Sequence, residues 1–217
     1  MMDRSVNCYG RRVTDVRKPT RRERYALETR NAIVAAARKL FAERGYFATT
    51  VEDIAGEAEV ALATVYSSTG GKQGLLAALL EAWGDDPTIQ TTMDRVAATD
   101  DAREIIDVLS QAACRMREEW DDVVTIFLTT SPHDAAVAEQ YAPFDAYYRR
   151  CIAEIADRLA DLDSLRDGID AQYATDVLWL YFGYGSISTL HDDSHWTYEQ
   201  AQSWLAERAA REILRPS

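Results

Sequence analysis

Few residues of this chain have types and spacings that suggest catalysis or metal binding. His133 follows Ser131 and precedes Asp134. These are the residue types of an acyl-transfer triad, but a triad is a spatial arrangement, and neighbours in sequence do not supply it. His191 and His195 form H-x-x-x-H around Asp192 and Asp193, a spacing that on a helix can hold a metal. The segment reads as an interhelix loop, so no metal is expected. The Glu-x-x-His pairs of carboxylate di-iron bundles do not occur. Cys8, Cys114 and Cys151 are odd in number and widely spaced. They form neither a disulfide framework nor a C-x-x-C zinc pattern, and reduced thiols are expected. No cofactor and no enzymatic activity are expected; a helical metal-dependent enzyme is the least favoured alternative.

Charge is distributed unevenly. The 217 residues carry a net −12, yet the first 50 hold twelve Lys+Arg against five Asp+Glu, and the rest hold twelve against thirty-one. A basic end on an acidic body suggests a nucleic-acid-facing head and a body that repels phosphate. Close to half the residues are apolar, enough for a sizeable core. The sequence has no run of 18 apolar residues and no apolar segment behind its basic N-terminus. Neither a membrane span nor a secretory signal is expected, and cytoplasmic residence follows by default.

The elements that would position a head are legible in the pattern. Residues 1–28 read as a flexible basic arm, turning helical towards its end. A helix over 29–44 carries Ile33, Ala37, Leu40 and Phe41 on one face, and Gly45 stands where a helix end favours φ > 0. Thr50-x-x-Asp53 is a capping-box-like start. After a break at Glu59-Val60, a third helix covers Ala61–Ser67; after Gly70-Gly71, a fourth opens at Lys72. The body continues with helical periodicity. Ile105 to Trp120 mark one helix, and Val123, Ile126 and Phe127 a short one. Ser131-Pro132 starts a long run to Leu159 that Pro143 should break or kink. Tyr173 to Ile187 mark another helix, and Thr197-x-x-Gln200 caps the last. The fold class is all-α with about nine helices: a three-helix head (29–76) and a helical-bundle body (77–217).

The segment 50–67 has helix-turn-helix proportions. Ala55 is small where two helices cross, Val60 can plug the core between them, and the outer face of the short helix has little bulk to obstruct a groove. The head resembles the tetracycline-repressor (TetR) family. The resemblance runs without gaps over almost fifty residues, through Ala36, Leu40, Phe41, Gly45, Tyr46, Thr50, Val51, Ile54, Ala55, Ala58, Val60, Thr64, Tyr66, Lys72 and Leu75. It implies a recognition helix at Ala61–Ser67, with Ala61, Leu62, Ala63, Thr64, Tyr66 and Ser67 at the DNA. Thr50 and Lys72 would contact phosphate, Thr64 a base edge or thymine methyl, and Tyr66 the DNA backbone. Three residues depart from the family pattern. Glu59 replaces the turn glycine, Ala61 a polar cap, and Thr69 an aromatic residue. With Ala61, Leu62 and Ala63 offering few donors, apolar contacts to thymine methyls are expected, and a larger share of binding from the basic arm.

For the body, the resemblance implies a small-molecule effector and a homodimer through the last two long helices. Gly183, Gly185, Ser186 and Ser188, with Trp196 and Trp204 nearby, suit close helix approach. Trp120, Phe127, Tyr141, Phe144, Tyr148 and Trp179 are the candidate ligand-lining residues, suited to an apolar or aromatic effector. The expected function is a DNA-binding transcriptional regulator, a repressor released from its operator by a small ligand. The alternative is a helical interaction module with a degenerate DNA-binding head.

Overall fold

The computed structural model describes residues 20–216. The chain is helical in the order α1 (Arg21–Arg44), α2 (Val51–Glu57), α3 (Leu62–Thr69), α4 (Lys72–Gly84), α5 (Thr88–Ala98), α6 (Ala102–Thr130), α7 (Ala135–Asp161), α8 (Ala171–Phe182), α9 (Gly185–Ser188) and α10 (Tyr198–Ile213). It divides into two compact units: residues up to Asp85 with Asp122–Phe144, and Asp86–Asp121 with Asp145 onward.

The first unit packs α1 through α4 around Ile33, Ala37, Leu40, Phe41, Ile54, Val65, Leu75, Leu76 and Leu79, all buried. Burying a side chain of this kind contributes about 1.5–3 kcal/mol. The expected helix at 29–44 begins earlier. Thr20 and Glu23 form a full capping box, and α1 starts at Arg21. The expected arm therefore falls in two parts: residues 20–28 belong to α1 and its cap, and residues 1–19 lie outside the described residues. Gly45 ends α1 at φ 82, as its position predicts. The Thr49 hydroxyl closes that end by donating to the Gly45 carbonyl at 2.9 Å.

The second unit has one continuous apolar core. Ile105, Ile106 and Leu109 of α6 meet Ile152, Ile155 and Leu159 of α7, Leu178 and Phe182 of α8, and Leu205 and Ile213 of α10. A lone antiparallel bridge pairs Leu165 with Leu214, and Arg215 grips Asp163 through two bonds of 2.8 and 3.0 Å.

Several boundaries differ from the periodicity. The two helices expected at 105–120 and 123–127 form one, α6, with non-helical angles at Trp120 (φ −126, ψ 16). Ser131–His133 form a 3-10 turn. The cap beyond it is Asp134, whose Oδ1 accepts from the Ala136 and Val137 amides at 3.0 and 3.2 Å. α7 runs on past Pro143. The helix expected to reach Ile187 stops at Phe182. There the Gly183 amide caps the Trp179 carbonyl, and a Cβ on Gly183 would lie 2.5 Å from that oxygen. The His191 segment is a π-turn (Thr189–Asp193). The His191 ring stacks on Tyr198 at 4.0 Å, and its Nδ1 lies 2.8 Å from the Trp196 carbonyl. Among the described residues no three His, Cys, Asp or Glu side chains converge as a metal site, and no helix is long and apolar enough to cross a membrane.

Candidate nucleic-acid interface

The interface is built from α2, a four-residue turn and α3. Thr50 sets the start of α2. Its Oγ1 accepts from the Asp53 amide at 3.1 Å, while Asp53 Oδ2 accepts from the Thr50 amide at 2.9 Å and from its hydroxyl at 2.6 Å. These bonds from the Thr50 side chain and backbone hold the Asp53 carboxyl below the usual aspartate range. Ile54 and Ala55 turn inward and fix α2 on the core.

The turn reverses the chain through Glu59, which has φ 54. A glycine would adopt that angle without strain; glutamate does so at a cost of about 1–2 kcal/mol. The Val60 amide donates to the Ala55 carbonyl at 3.0 Å and closes the turn. Ala61 occupies the N-cap of α3 in extended geometry and makes no side-chain cap bond. Two of the three departures noted in the sequence, Glu59 and Ala61, therefore have structural consequences.

α3 is anchored by one side chain, the wholly buried Val65. Ala61, Leu62, Ala63, Tyr66 and Ser67 are exposed, and Thr64 is half-buried. Tyr66 is 52% exposed, with its ring edge on the backbone of Gly71, where a Cβ would sit 3.1 Å from it. Gly70 and Gly71 carry the chain into α4 at φ 77 and 87. The expected contact residues from Thr50 through Ser67 thus lie together along α2, the turn and α3.

Lys72 is placed differently from the others. Its Nζ donates to the Tyr46 carbonyl at 2.5 Å and sits 4.2 Å from the centre of the Tyr46 ring. Desolvation pushes its pKa down, against an opposing pull from Asp134. In this state the ammonium is committed to the protein backbone. Three cations of α1 are paired with carboxylates: Lys39 with Glu57 at 2.6 Å, Arg44 with Asp53 at 3.8 Å, and Arg38 with Asp122 at 2.6 Å. Phe47, 58% exposed two residues before Thr49, was not singled out by the sequence pattern, because an aromatic residue at a helix end ordinarily packs inward.

The six candidate ligand-lining residues separate. Phe127, Tyr141 and Phe144 belong to the first unit, where Tyr141 stacks on Phe127 at 5.4 Å and Phe144 lies 4.0 Å from Trp83. Trp120, Tyr148 and Trp179 belong to the second. Trp120 donates Nε1–H to Asp86 at 3.0 Å. Tyr148, Trp179 and Tyr184 form a cluster with centroids 5.6–5.7 Å apart. The Arg149 guanidinium lies 3.9 Å over Trp179, and the Tyr148 hydroxyl donates to the Phe182 carbonyl at 2.6 Å. Tyr148 also borders a hollow of about 30 Å³ lined by Thr88, Met93, Leu109, Met116 and Cys151.

The sequence also gave little sign of Arg117, which is 5% exposed. It pairs with Asp121 one turn along α6 and donates Nη2–H to the Ser188 hydroxyl at 2.6 Å. The i, i+4 spacing to Asp121 suggested only a surface pair.

Comparison with known proteins agrees with this architecture. Residues 33–79 match the family described as bacterial regulatory proteins, tetR family. The HTH-type transcriptional regulator YdeS of Bacillus subtilis (strain 168) is 25% identical over 155 residues, covering 70% of this chain and 74% of that protein. NalD, the secondary repressor of the MexAB-OprM multidrug efflux pump in Pseudomonas aeruginosa, superposes with a TM-score of 0.73 at 22% identity, over 89% of this chain and all of NalD. SmeT in complex with triclosan superposes with a TM-score of 0.67 at 20% identity, over 88% and 93%. The helix-turn-helix head at residues 33–79 is thus that of the tetR family of bacterial regulatory proteins, and the order of helices over the rest of the chain matches the fold of solved structures such as NalD.

Proposed function

We propose that the protein binds double-stranded operator DNA as a homodimer and is released from it by a small apolar or aromatic effector. The observation that carries this reading is α3. It is pinned by Val65 alone, with Leu62 and Tyr66 turned to solvent beside the capped start of α2. Thr50, Ala61, Leu62, Ala63, Thr64, Tyr66 and Ser67 are the proposed DNA contacts. Lys72 joins them once its ammonium leaves the Tyr46 carbonyl for a phosphate. Phosphate contacts set register and affinity, and groove contacts set sequence choice.

Reading two half-sites requires two heads about 34–36 Å apart, one helical turn of DNA. Helices α8 and α10 carry the apolar surface a dimer would cover. Leu180 is 65% exposed, and Tyr173 and Trp204 are also exposed. Leu180 and Trp204 border an open hollow of about 650 Å³ with Trp179, Tyr184, Thr189 and Leu190. The effector is assigned to the second unit, at the hollow beside Tyr148, whose ring packs against Trp179 with centroids 5.6 Å apart. Met93 and Met116 are unbranched and can re-pack around a guest larger than the present void. Trp120 is a further candidate contact in that unit. Phe127, Tyr141 and Phe144 act through the packing of the first unit. Triclosan in SmeT is an example of such a guest in a protein of the same fold.

The test is operator affinity. Duplex DNA enriched from a random library should bind with steep salt dependence. Leu180→Glu should give monomers in sedimentation and lose tight binding. A panel of apolar and aromatic compounds should contain members that weaken operator binding and quench tryptophan fluorescence. Absence of DNA binding at low salt would refute the reading and favour a helical interaction module.

A further inference from the structure

The chemistry of major-groove reading is narrow. Arg or Lys reads guanine, Asn or Gln reads adenine, and Asp or Glu reads cytosine. Apolar side chains read the C5-methyl of thymine. α3, with sequence LATVYSST, contains no charged and no amide side chain. Two of its hydroxyls are turned back on the helix: Ser67 donates to the Thr64 carbonyl at 3.1 Å, and Thr69 to the Val65 carbonyl at 2.8 Å. Val65 is in the core. The N-terminal turn, the part of a recognition helix that meets base edges, therefore presents Ala61, Leu62 and Ala63. Leu62, at 38% exposed, is the largest of the three.

We infer that Leu62, flanked by Ala61 and Ala63, selects thymine in each half-site by enclosing its C5-methyl, so that this base is chosen by methyl contact rather than by a hydrogen bond. This rests on the DNA-binding reading above. It explains why a hydroxyl cap is absent at Ala61: a polar side chain there would meet a methyl instead of a base acceptor. It also assigns Tyr66 to the sugar-phosphate, since its ring is held on Gly71, in the joint between α3 and α4.

Deoxyuridine provides the test, because it removes the methyl and leaves every hydrogen-bonding group of the base in place. The full chain is used to enrich a duplex from a random library, and thymines of that duplex are replaced by deoxyuridine one at a time. At one or two positions per half-site, binding should weaken about fourfold for each methyl lost. In Leu62→Ala, which alters only an exposed side chain and should melt as the parent does, the same replacements should have no effect. Three outcomes overturn the inference. Neutral replacement at every position does so directly. Salt-sensitive binding without sequence enrichment does so while leaving the DNA-binding reading intact. No binding to any duplex at low salt overturns both.

Discussion

Arg38 of α1 and Asp122 of α6 are joined by two nearly parallel bonds, Nε to Oδ2 at 2.6 Å and Nη2 to Oδ1 at 2.7 Å. The residues are 84 positions apart, and both lie in the first unit. The later half of α6 is thus tied by a planar fork to the helix that supports the helix-turn-helix. A two-pronged arginine–carboxylate pair fixes orientation as well as distance. Each side chain is about one-third exposed, so solvent screens much of the attraction. Arg38→Lys, which keeps charge but loses the fork, should cost about 0.5–1 kcal/mol in urea denaturation. Asp122→Ala should cost about the same. The double variant should be less than additive, and additivity would mean that the two groups do not interact.

Glu59 offers a gain. Its left-handed backbone is strained for glutamate, and its carboxylate stands in the turn next to the proposed DNA contacts. Glu59→Gly should stabilise the fold by about 0.5–1 kcal/mol, after the greater chain entropy of glycine is subtracted. It should also tighten operator binding, most visibly at low salt, by removing a charge that repels phosphate. Tighter binding without added stability would locate the effect in charge alone.

This site was readable from sequence because its determinants are local. Thr50 and Asp53 cap each other three residues apart, and Val51, Ile54 and Ala55 fall at helical spacing on the buried face of α2. Even the φ of Glu59 was visible as a residue in a glycine's place. Other features depend on distant partners. α5 buries Thr88, Thr92 and Val96, a stripe too polar to stand out. α6 continues through Trp120, whose indole finds Asp86, and no periodicity signals that bond. That Phe127, Tyr141 and Phe144 gather with Trp83 while Tyr148 and Trp179 gather with Tyr184 is set by chain topology.

The joint between α3 and α4 depends on a close approach. A Cβ at Gly74 would lie 1.5 Å from the Thr69 carbonyl oxygen, a backbone atom that cannot rotate away. Gly74→Ala should therefore cost more than about 2 kcal/mol, although alanine is normally the better helix former by about 1 kcal/mol. Loss of stability in thermal melting should be accompanied by weaker operator binding, because the displaced Thr69 ends the recognition helix. An unchanged melting temperature would show that α4 can open at no cost.

Arg117 is a buried charge with one carboxylate and one hydroxyl for partners. Its Nε and Nη1 have no protein acceptor. Such a group is kept at a desolvation cost that its partners only partly offset. Arg117→Met, of similar length and apolar, should be neutral within about 1 kcal/mol or stabilising. Ser188→Ala should cost about 1–3 kcal/mol, because it strips an acceptor from a charge that stays buried. The reverse order would mean that the guanidinium is a net source of stability.

Cys114 links burial to alkaline stability. Burial, aided by the nearby Glu118 carboxylate, pushes its thiol up to about 12. In the unfolded chain the thiol ionises at its ordinary, lower value. The folded state therefore holds the proton more tightly, which leaves stability unaffected below the ordinary thiol pKa. Above it the unfolded state gains by releasing a proton that the folded state retains, so stability falls as pH climbs towards about 12. Cys114→Ser would introduce a buried hydroxyl of its own, so Cys114→Ala is the better comparison. It should lose packing at neutral pH, yet show a shallower decline in urea-denaturation stability above the ordinary thiol range. Iodoacetamide at pH 8 should leave Cys114 unmodified in the native protein and alkylate it once urea unfolds the chain, since the thiolate is the reactive species. Rapid native alkylation would mean that α6 opens locally and that the thiol is not held in the core.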